Sequence, residues 1–337
     1  MDATAPVIAV RGLTMTYRAP VREPGLRAAL GSLFRRRYRE VEAVRALSFD
    51  VAPGEVVGFI GPNGAGKTST LKMLSGVLHP TAGQASVLGF TPWRREYPFL
   101  RRIAFIRGSR PLSGPPELTV MDTLRFRRLV YEVPQDAFRR NLAELAELLA
   151  LGLLLERQVR ALSLGERMRA GLASSLIYRP RVLFLDEPTI GLDVSATAVV
   201  RRFVAAYARE TGATVLLTSH YMADVETLCR RVLLIDRGSL RYDGDLAGLA
   251  ARLAPWKVVK VAVSNGGMPT DWVRFGEVVS TEAGRVSLRV ARHEVPAVTA
   301  RLLAELPVAD LAVEEAPLET VMDQVYREGI EAARVRA

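Results

Sequence analysis

The stretch Gly61-Pro62-Asn63-Gly64-Ala65-Gly66-Lys67-Thr68 fits G-x-x-x-x-G-K-T and stands between an apolar run, Val56 to Ile60, and an amphipathic one containing Leu71, Met73 and Leu74. That order predicts strand, phosphate loop and helix. Four small or polar residues between Gly61 and Gly66 let successive backbone N–H groups turn inward around phosphate oxygens, and the helix N-terminus adds partial positive charge. Lys67 would reach the β- and γ-phosphates, and Thr68 would offer a hydroxyl to Mg²⁺. A glycine-rich turn with no ligand is the plainer alternative, but the full pattern in a strand-to-helix context argues against it. With the following Ser69, these residues form the candidate nucleotide-binding segment.

Working outward, 337 residues suffice for one sizeable core and a smaller second one. Hydrophobic residues make up 49% and charged ones 24%, a globular balance, and apolar runs broken by Arg, Asp or Gly leave no segment to span a bilayer. The Met-Asp-Ala-Thr start has no basic-then-apolar leader, so a cytosolic protein is expected. Cys229 stands alone and forms no intrachain disulfide. The net charge of +10 is almost wholly Arg, since Lys stands only at 67, 72, 257 and 260. Aromatics are not interleaved with the basic residues, so no nucleic-acid partner is expected.

Strands are predicted at Val7 to Tyr17, Val44 to Val51, Val56 to Ile60, Gln84 to Leu88 and Arg102 to Ile106. Between the first two, Leu26, Leu30, Leu33, Phe34, Tyr38 and Val41 recur at helical spacing among arginines, which reads residues 19–41 as a basic amphipathic helix. Residues 118–178 read as an inserted helical subdomain, including a helix over Asn141 to Leu155. Beyond Asp245 to Leu253, a helix, the chain reads as strands Val258 to Val263, Trp272 to Val279, Arg285 to Val290 and Leu311 to Glu315, with helices Val295 to Glu305 and Leu318 to Arg327. The expected fold class is therefore a doubly wound α/β P-loop core over residues 1–253 and a small α+β domain over residues 254–337.

Arg181 to Leu185 is a continuous apolar run ending in Asp186-Glu187-Pro188. Alone, it would be a strand ending in solvated acids. Beside a phosphate loop, Asp186 can hold Mg²⁺ through water while Glu187 faces the γ-phosphate as a base for water. Thr214 to Ser219 is a further apolar strand followed by His220, and ligands of open α/β sheets gather at strand C-termini, which makes His220 a candidate γ-phosphate contact.

Just before the acidic strand lies Leu162-Ser163-Leu164-Gly165-Glu166-Arg167. With the phosphate loop, this segment makes residues 5–250 resemble the nucleotide-binding subunit of ATP-binding cassette (ABC) transporters. The resemblance implies that Ser163 and Gly165, at a helix start, complete the phosphate site of an opposite subunit, so that two nucleotides lie between two cassettes. It implies that Tyr17 stacks on adenine, that Asp193 in Ile190-Gly191-Leu192-Asp193 organises the attack geometry across the dimer interface, and that His220 is the switch histidine. The run Pro188 to Asp193 and the terminal small domain are especially similar to cassettes that serve ABC-2-type permeases, mostly exporters.

The implied protein is an ATP-hydrolysing subunit, with ATP and Mg²⁺ as ligands. Its partners would be integral-membrane permease subunits and a second nucleotide-binding subunit, at the cytoplasmic face of the membrane. The sequence departs from the family at Leu164, usually Gly, and at Glu166, usually Gln. The basic insertion at 19–41 is a further departure, and Arg107-Gly108-Ser109-Arg110 stands where the family presents a Gln to the metal and the water. Two alternatives follow: a soluble cassette ATPase acting on nucleic acid or ribosomes, and a non-catalytic ATP-binding regulatory subunit.

Overall fold

A computed structural model describes residues 5–20, 38–112, 114–264, 271–282, 284–317 and 319–322. The chain divides into two compact units, Met1–Asp243 and Gly244–Ala337.

The first unit carries two sheets. Strands β1 (Ile8–Pro20), β2 (Tyr38–Val51) and β4 (Ala82–Val87) form an antiparallel sheet in the order β2-β1-β4. The second sheet takes β3 (Val56–Ile60), β5 (Ile103–Arg107), β6 (Val182–Asp186), β7 (Thr214–Thr218), β8 (Arg231–Asp236) and β9 (Ser239–Asp245) in the order β5-β6-β7-β3-β8-β9. The first five run parallel. Nearly unbroken apolar runs in β3, β6, β7 and β8 suit strands buried on both faces, and every residue of β6 and β7 is buried. Arg237 and Gly238, at φ 47° and 81°, turn β8 into β9 with the two positive φ values of a tight hairpin.

Register sets the site. Asp186 pairs with Arg107 of β5 and with Thr218 of β7, so the acidic end of β6 is flanked by the loop after β5 and the strand end before His220. Phe49, Phe59, Leu71 and Phe184 are buried in the core that joins both sheets to the helix Lys67–Leu74. The helices Val120–Val130, Gln135–Leu148 and Leu164–Leu176 supply the helical subdomain.

Several local expectations change. The helix predicted over residues 19–41 does not hold at its described ends: Tyr38 and Val41 belong to β2 and pair with Pro20 and Tyr17. Cross-strand backbone bonding with β1 wins there over helical side-chain spacing, and residues 21–37 lie outside the described residues. The helix predicted over Asn141 to Leu155 begins earlier and ends at Leu148, where Ala150 at φ 49° turns the chain out.

In the second unit, β10 (Trp256–Val263), β11 (Glu277–Glu282), β12 (Arg285–Ala291) and β13 (Val308–Glu315) form an antiparallel sheet ordered β11-β12-β10-β13. Val298 and Leu302 of the helix Val295–Glu305 pack with Val259, Val261, Val286 and Leu288 in its core. The strand predicted from Trp272 starts only at Glu277. Phe275 and Gly276 donate backbone hydrogen bonds to Trp272 and Val273, forming a turn that buries Trp272 and Phe275 together. Of the final predicted helix, residues 319–322 are helical and 323–327 lie outside the described residues. Among the described residues no helix is long and apolar enough to cross a membrane.

Candidate functional site

The loop between β3 and the helix Lys67–Leu74 has the backbone that its glycines permit. Gly61, Gly64 and Gly66 take φ of 152°, 79° and 103°, and a Cβ on Gly61 or Gly66 would lie 2.1 Å from the Ile235 carbonyl oxygen or 2.3 Å from that of Ala43. No other residue fits those two positions without moving backbone. Lys67 is buried, and its Nζ donates to the carbonyls of Gly61 at 2.5 Å and Pro62 at 3.1 Å. Burial lowers its pKa, against the opposing pull of Glu187 and Asp186. The ammonium is thus held over the loop on its own carbonyls, where phosphate oxygens can replace them. Pro62, Asn63 and Ala65 complete the turn, with Ala65 N–H bonded to the Pro62 carbonyl at 3.1 Å.

Thr68 joins the loop to β6: its hydroxyl donates to Asp186 Oδ1 at 2.9 Å and Oδ2 at 3.1 Å. Thr218 donates to Asp186 Oδ1 at 3.0 Å from the other side and accepts the Glu187 N–H at 3.1 Å. A hydroxyl and a carboxylate oxygen brought together this way fit a Mg²⁺ that keeps several water or phosphate oxygens. Among the described residues no group of three or more His, Cys, Asp and Glu is placed to hold a metal.

Glu187 follows with φ 54°, in the left-handed region uncommon for a residue with a side chain. Its backbone is held by Thr218, and Nε2 of His220 lies 2.8 Å from its Oε1. Both side chains are partly exposed, so the pair faces a space that water can enter. Gly108 of the loop after β5 donates its N–H to the Asp186 carbonyl at 2.9 Å, against the Glu187 backbone. Arg107 turns away, its guanidinium over the Phe105 ring, and Ser109 and Arg110 are exposed. Tyr17 is exposed, with its hydroxyl 3.0 Å from Ser69 Oγ. The structure thus gathers Tyr17, Lys67, Thr68, Ser69, Asp186, Glu187 and His220 around the phosphate loop.

Ser163, Gly165 and Asp193 form a second group. Ser163 caps the helix Leu164–Leu176 in a capping box with Glu166: Ser163 Oγ accepts the Glu166 N–H at 3.2 Å, and Glu166 accepts the Ser163 N–H at 2.8 Å. Arg157 donates to Glu166 at 2.6 Å, and the Ser163 N–H, then Arg157, hold the Glu166 carboxyl below its usual range against the opposing effect of desolvation. Asp193 caps the helix Val194–Thr211 by accepting the Ala196 N–H at 2.8 Å, a bond that lowers its pKa. A Cβ on Gly165 would come within 2.9 Å of Ala196 Cβ, so the two capped helix starts lie side by side.

The sequence assigned no role to Thr218, Gly108 or Asp224. Thr218 was findable, since it ends the strand before His220. Asp224 carries no local signal: its partners Thr189, Arg201 and Ser219 lie 35, 23 and 5 residues away.

Residues 44–190 match the ABC transporter family, and residues 255–314 match the C-terminal domain of EvrA-like ABC transporters. The chain is 32% identical over 216 residues to the ABC transporter ATP-binding protein NatA of Bacillus subtilis, covering 64% of this chain and 87% of NatA. It is 30% identical over 230 residues to the linearmycin resistance ATP-binding protein LnrL of the same organism, covering 68% of this chain and 73% of LnrL. To the Nod factor export ATP-binding protein I of Burkholderia pseudomallei it is 39% identical over 210 residues, 62% of this chain and 68% of that protein. Among solved structures it resembles the ATP-binding subunit of an ABC transporter, with TM-score 0.61 and 24% identity over 73% of this chain and 92% of that one. It also resembles a dimeric ATP-binding cassette in a post-hydrolysis state bound to ADP and Pi, with TM-score 0.58 and 19% identity over 71% of this chain and 98% of that one.

Proposed function

Since the chain belongs to the family of ABC transporter ATP-binding proteins, we propose that it is the ATP-hydrolysing subunit of an exporter. In this reading its permease is of the ABC-2 type, and it works at the cytoplasmic face of the membrane paired with a second nucleotide-binding subunit. The observation that carries the chemistry is the 2.8 Å contact of Glu187 with His220, beside the Thr68–Asp186 bond and the buried Lys67.

Tyr17 offers a face for adenine, the loop from Gly61 to Ser69 takes the phosphates, and Lys67 meets the β- and γ-oxygens. Thr68 and Asp186 would hold Mg²⁺, which supplies charge neutralisation for the phosphates when bound. Glu187 accepts a proton from water as the water oxygen bonds to the γ-phosphorus and the bond to the ADP oxygen breaks. His220 keeps the Glu187 carboxylate aimed and contacts the γ-phosphate. Ser163, Gly165 and Asp193 serve the nucleotide of the opposite subunit, a role supported by the exposure of Leu164, Ile190 and Val194 around the two capped helix starts. This set of residues favours hydrolysis over a purely regulatory role, and the relatives named for transport and export leave the nucleic-acid alternative without support.

The permease partner is supported by an apolar region on the first unit. Val77, Tyr97, Phe126, Leu129 and Val130 are all exposed, and the Tyr97 hydroxyl bonds to the Val130 carbonyl at 3.2 Å. Val77 also lines a cavity of about 280 Å³ whose wall mixes apolar and aromatic side chains, Leu100, Phe105 and Tyr131, with the polar ones Arg95 and Arg127. Exposed apolar clusters of this kind mark protein contacts. The test is phosphate release from purified protein with Mg-ATP, alone and reconstituted with a candidate ABC-2-type permease. Release that depends on Lys67 and responds to the permease supports the reading; no release in either setting contradicts it.

A further inference from the structure

Asp224 is a carboxylate with 1% exposure that lies outside the phosphate loop and touches no position assigned to nucleotide. It accepts hydrogen bonds from three separate segments. The Thr189 hydroxyl donates to Oδ2 at 2.5 Å, the Ser219 hydroxyl donates to Oδ2 at 2.7 Å, and Arg201 Nε donates to Oδ1. Thr189 is two residues after Glu187, and Ser219 immediately precedes His220. One buried charge therefore ties together the exits of β6 and β7, where Glu187 and His220 make their 2.8 Å contact. Ser219 Oγ also accepts the Tyr221 N–H at 3.0 Å, which fixes the backbone on the far side of His220.

The other side of Glu187 is already held by Thr218. Its backbone at φ 54° persists only where the surroundings over-determine it, and the described bonds anchor it upstream through Thr218 and downstream through Thr189. We infer that Asp224 is a positioning residue for hydrolysis, holding Glu187 and His220 in one frame through Thr189 and Ser219. This rests on the reading in which Glu187 activates water. Charge-assisted bonds from two hydroxyls to one carboxylate are short and directional, so they transmit a displacement of either loop to the other. Arg201 neutralises the buried charge from the helix that Asp193 caps, which brings the third segment into the same frame.

Asp224→Asn keeps the shape and loses the charge. Its kcat for ATP should fall by about 10- to 100-fold through misplacement of the two side chains, while KM and nucleotide affinity stay within about twofold. A purely structural role, neutralising Arg201, is separated by the double variant Asp224→Asn with Arg201→Gln. The double variant should regain thermal stability without regaining kcat. Recovery of kcat together with stability overturns the proposal, as does a parental kcat in Asp224→Asn. If Asp224→Asn does not fold, Thr189→Val with Ser219→Ala removes both ties and leaves the ion pair. That variant should show the same drop in kcat at unchanged affinity, and parental turnover in it overturns the proposal. Glu187→Gln measured alongside keeps the two claims apart. If it hydrolyses at the parental rate, the role of Glu187 fails; if it is inactive while Asp224→Asn is parental, only the role of Asp224 fails.

Discussion

Replacing Gly108 with Ala should disable hydrolysis while sparing nucleotide binding. A Cβ at this position would lie 1.9 Å from the Glu187 carbonyl oxygen and 2.7 Å from Ile190 Cγ2. To reach even 3.0 Å, Glu187 and the loop have to part by about 1.1 Å. Gly108 resists giving way because its N–H is bonded to the Asp186 carbonyl at 2.9 Å, and Asp186 is itself held by Thr68 and Thr218. The displacement therefore falls largely on Glu187, already at an uncommon φ. A misplacement near 1 Å costs about 100-fold in rate, or about 2.7 kcal/mol of barrier. Overpacking adds about 1–3 kcal/mol of destabilisation, so phosphate release should be followed well below the melting temperature, with affinity measured in parallel by calorimetry. The loop from Gly61 to Thr68 is untouched, so affinity should hold. A folded Gly108→Ala protein with parental turnover would refute the coupling between this loop and Glu187.

Glu166→Gln addresses pH. The Ser163 N–H and Arg157 depress the folded-state pKa of Glu166, so its carboxylate contributes stability that is fully present above the unfolded-state value and lost as pH falls through the folded one. Denaturant titrations from about pH 6 to about pH 3 should show a shallower acid loss in the variant; parallel curves would contradict the pairing. Cys229 is buried, and burial pushes its thiol up to about 12, so a thiol reagent at neutral pH should label it only after unfolding. Fast labelling of the native protein would be inconsistent with this packing. Ser109→Gln puts in the side chain that the resemblance implies would meet metal and water. Basal ATPase without permease should rise, whereas an unchanged rate in a rapidly hydrolysing parent would make that ligand dispensable.

The phosphate loop and the acidic strand were legible because each is a contiguous run at a strand end, and His220 because it directly follows one; the unbroken apolar character of β6 and β7 fits their burial on both faces of a parallel pair. Residues 38–41 misled because Tyr38 and Val41 fit a 3.6-residue period, yet pairing with β1 satisfies their backbone groups in an extended form. The composition around Trp272 and Phe275 favours a strand, but their spacing of three puts both rings into one core only through a turn. Thr218 and Asp224 escaped for a different reason. Thr218 stands at a strand end that the sequence marks, but its bonds to Asp186 and Glu187, like those of Asp224 to Thr189 and Arg201, reach across the sequence, and no local period encodes them.

The most direct test of the account is Glu187→Gln, in which the amide keeps the shape of the base but cannot accept the proton from water. Mixed with Mg-ATP, the variant should bind nucleotide with parental affinity, release almost no phosphate and accumulate as an ATP-bound dimer by light scattering. Phosphate release at the parental rate would contradict the assignment of Glu187 as the base.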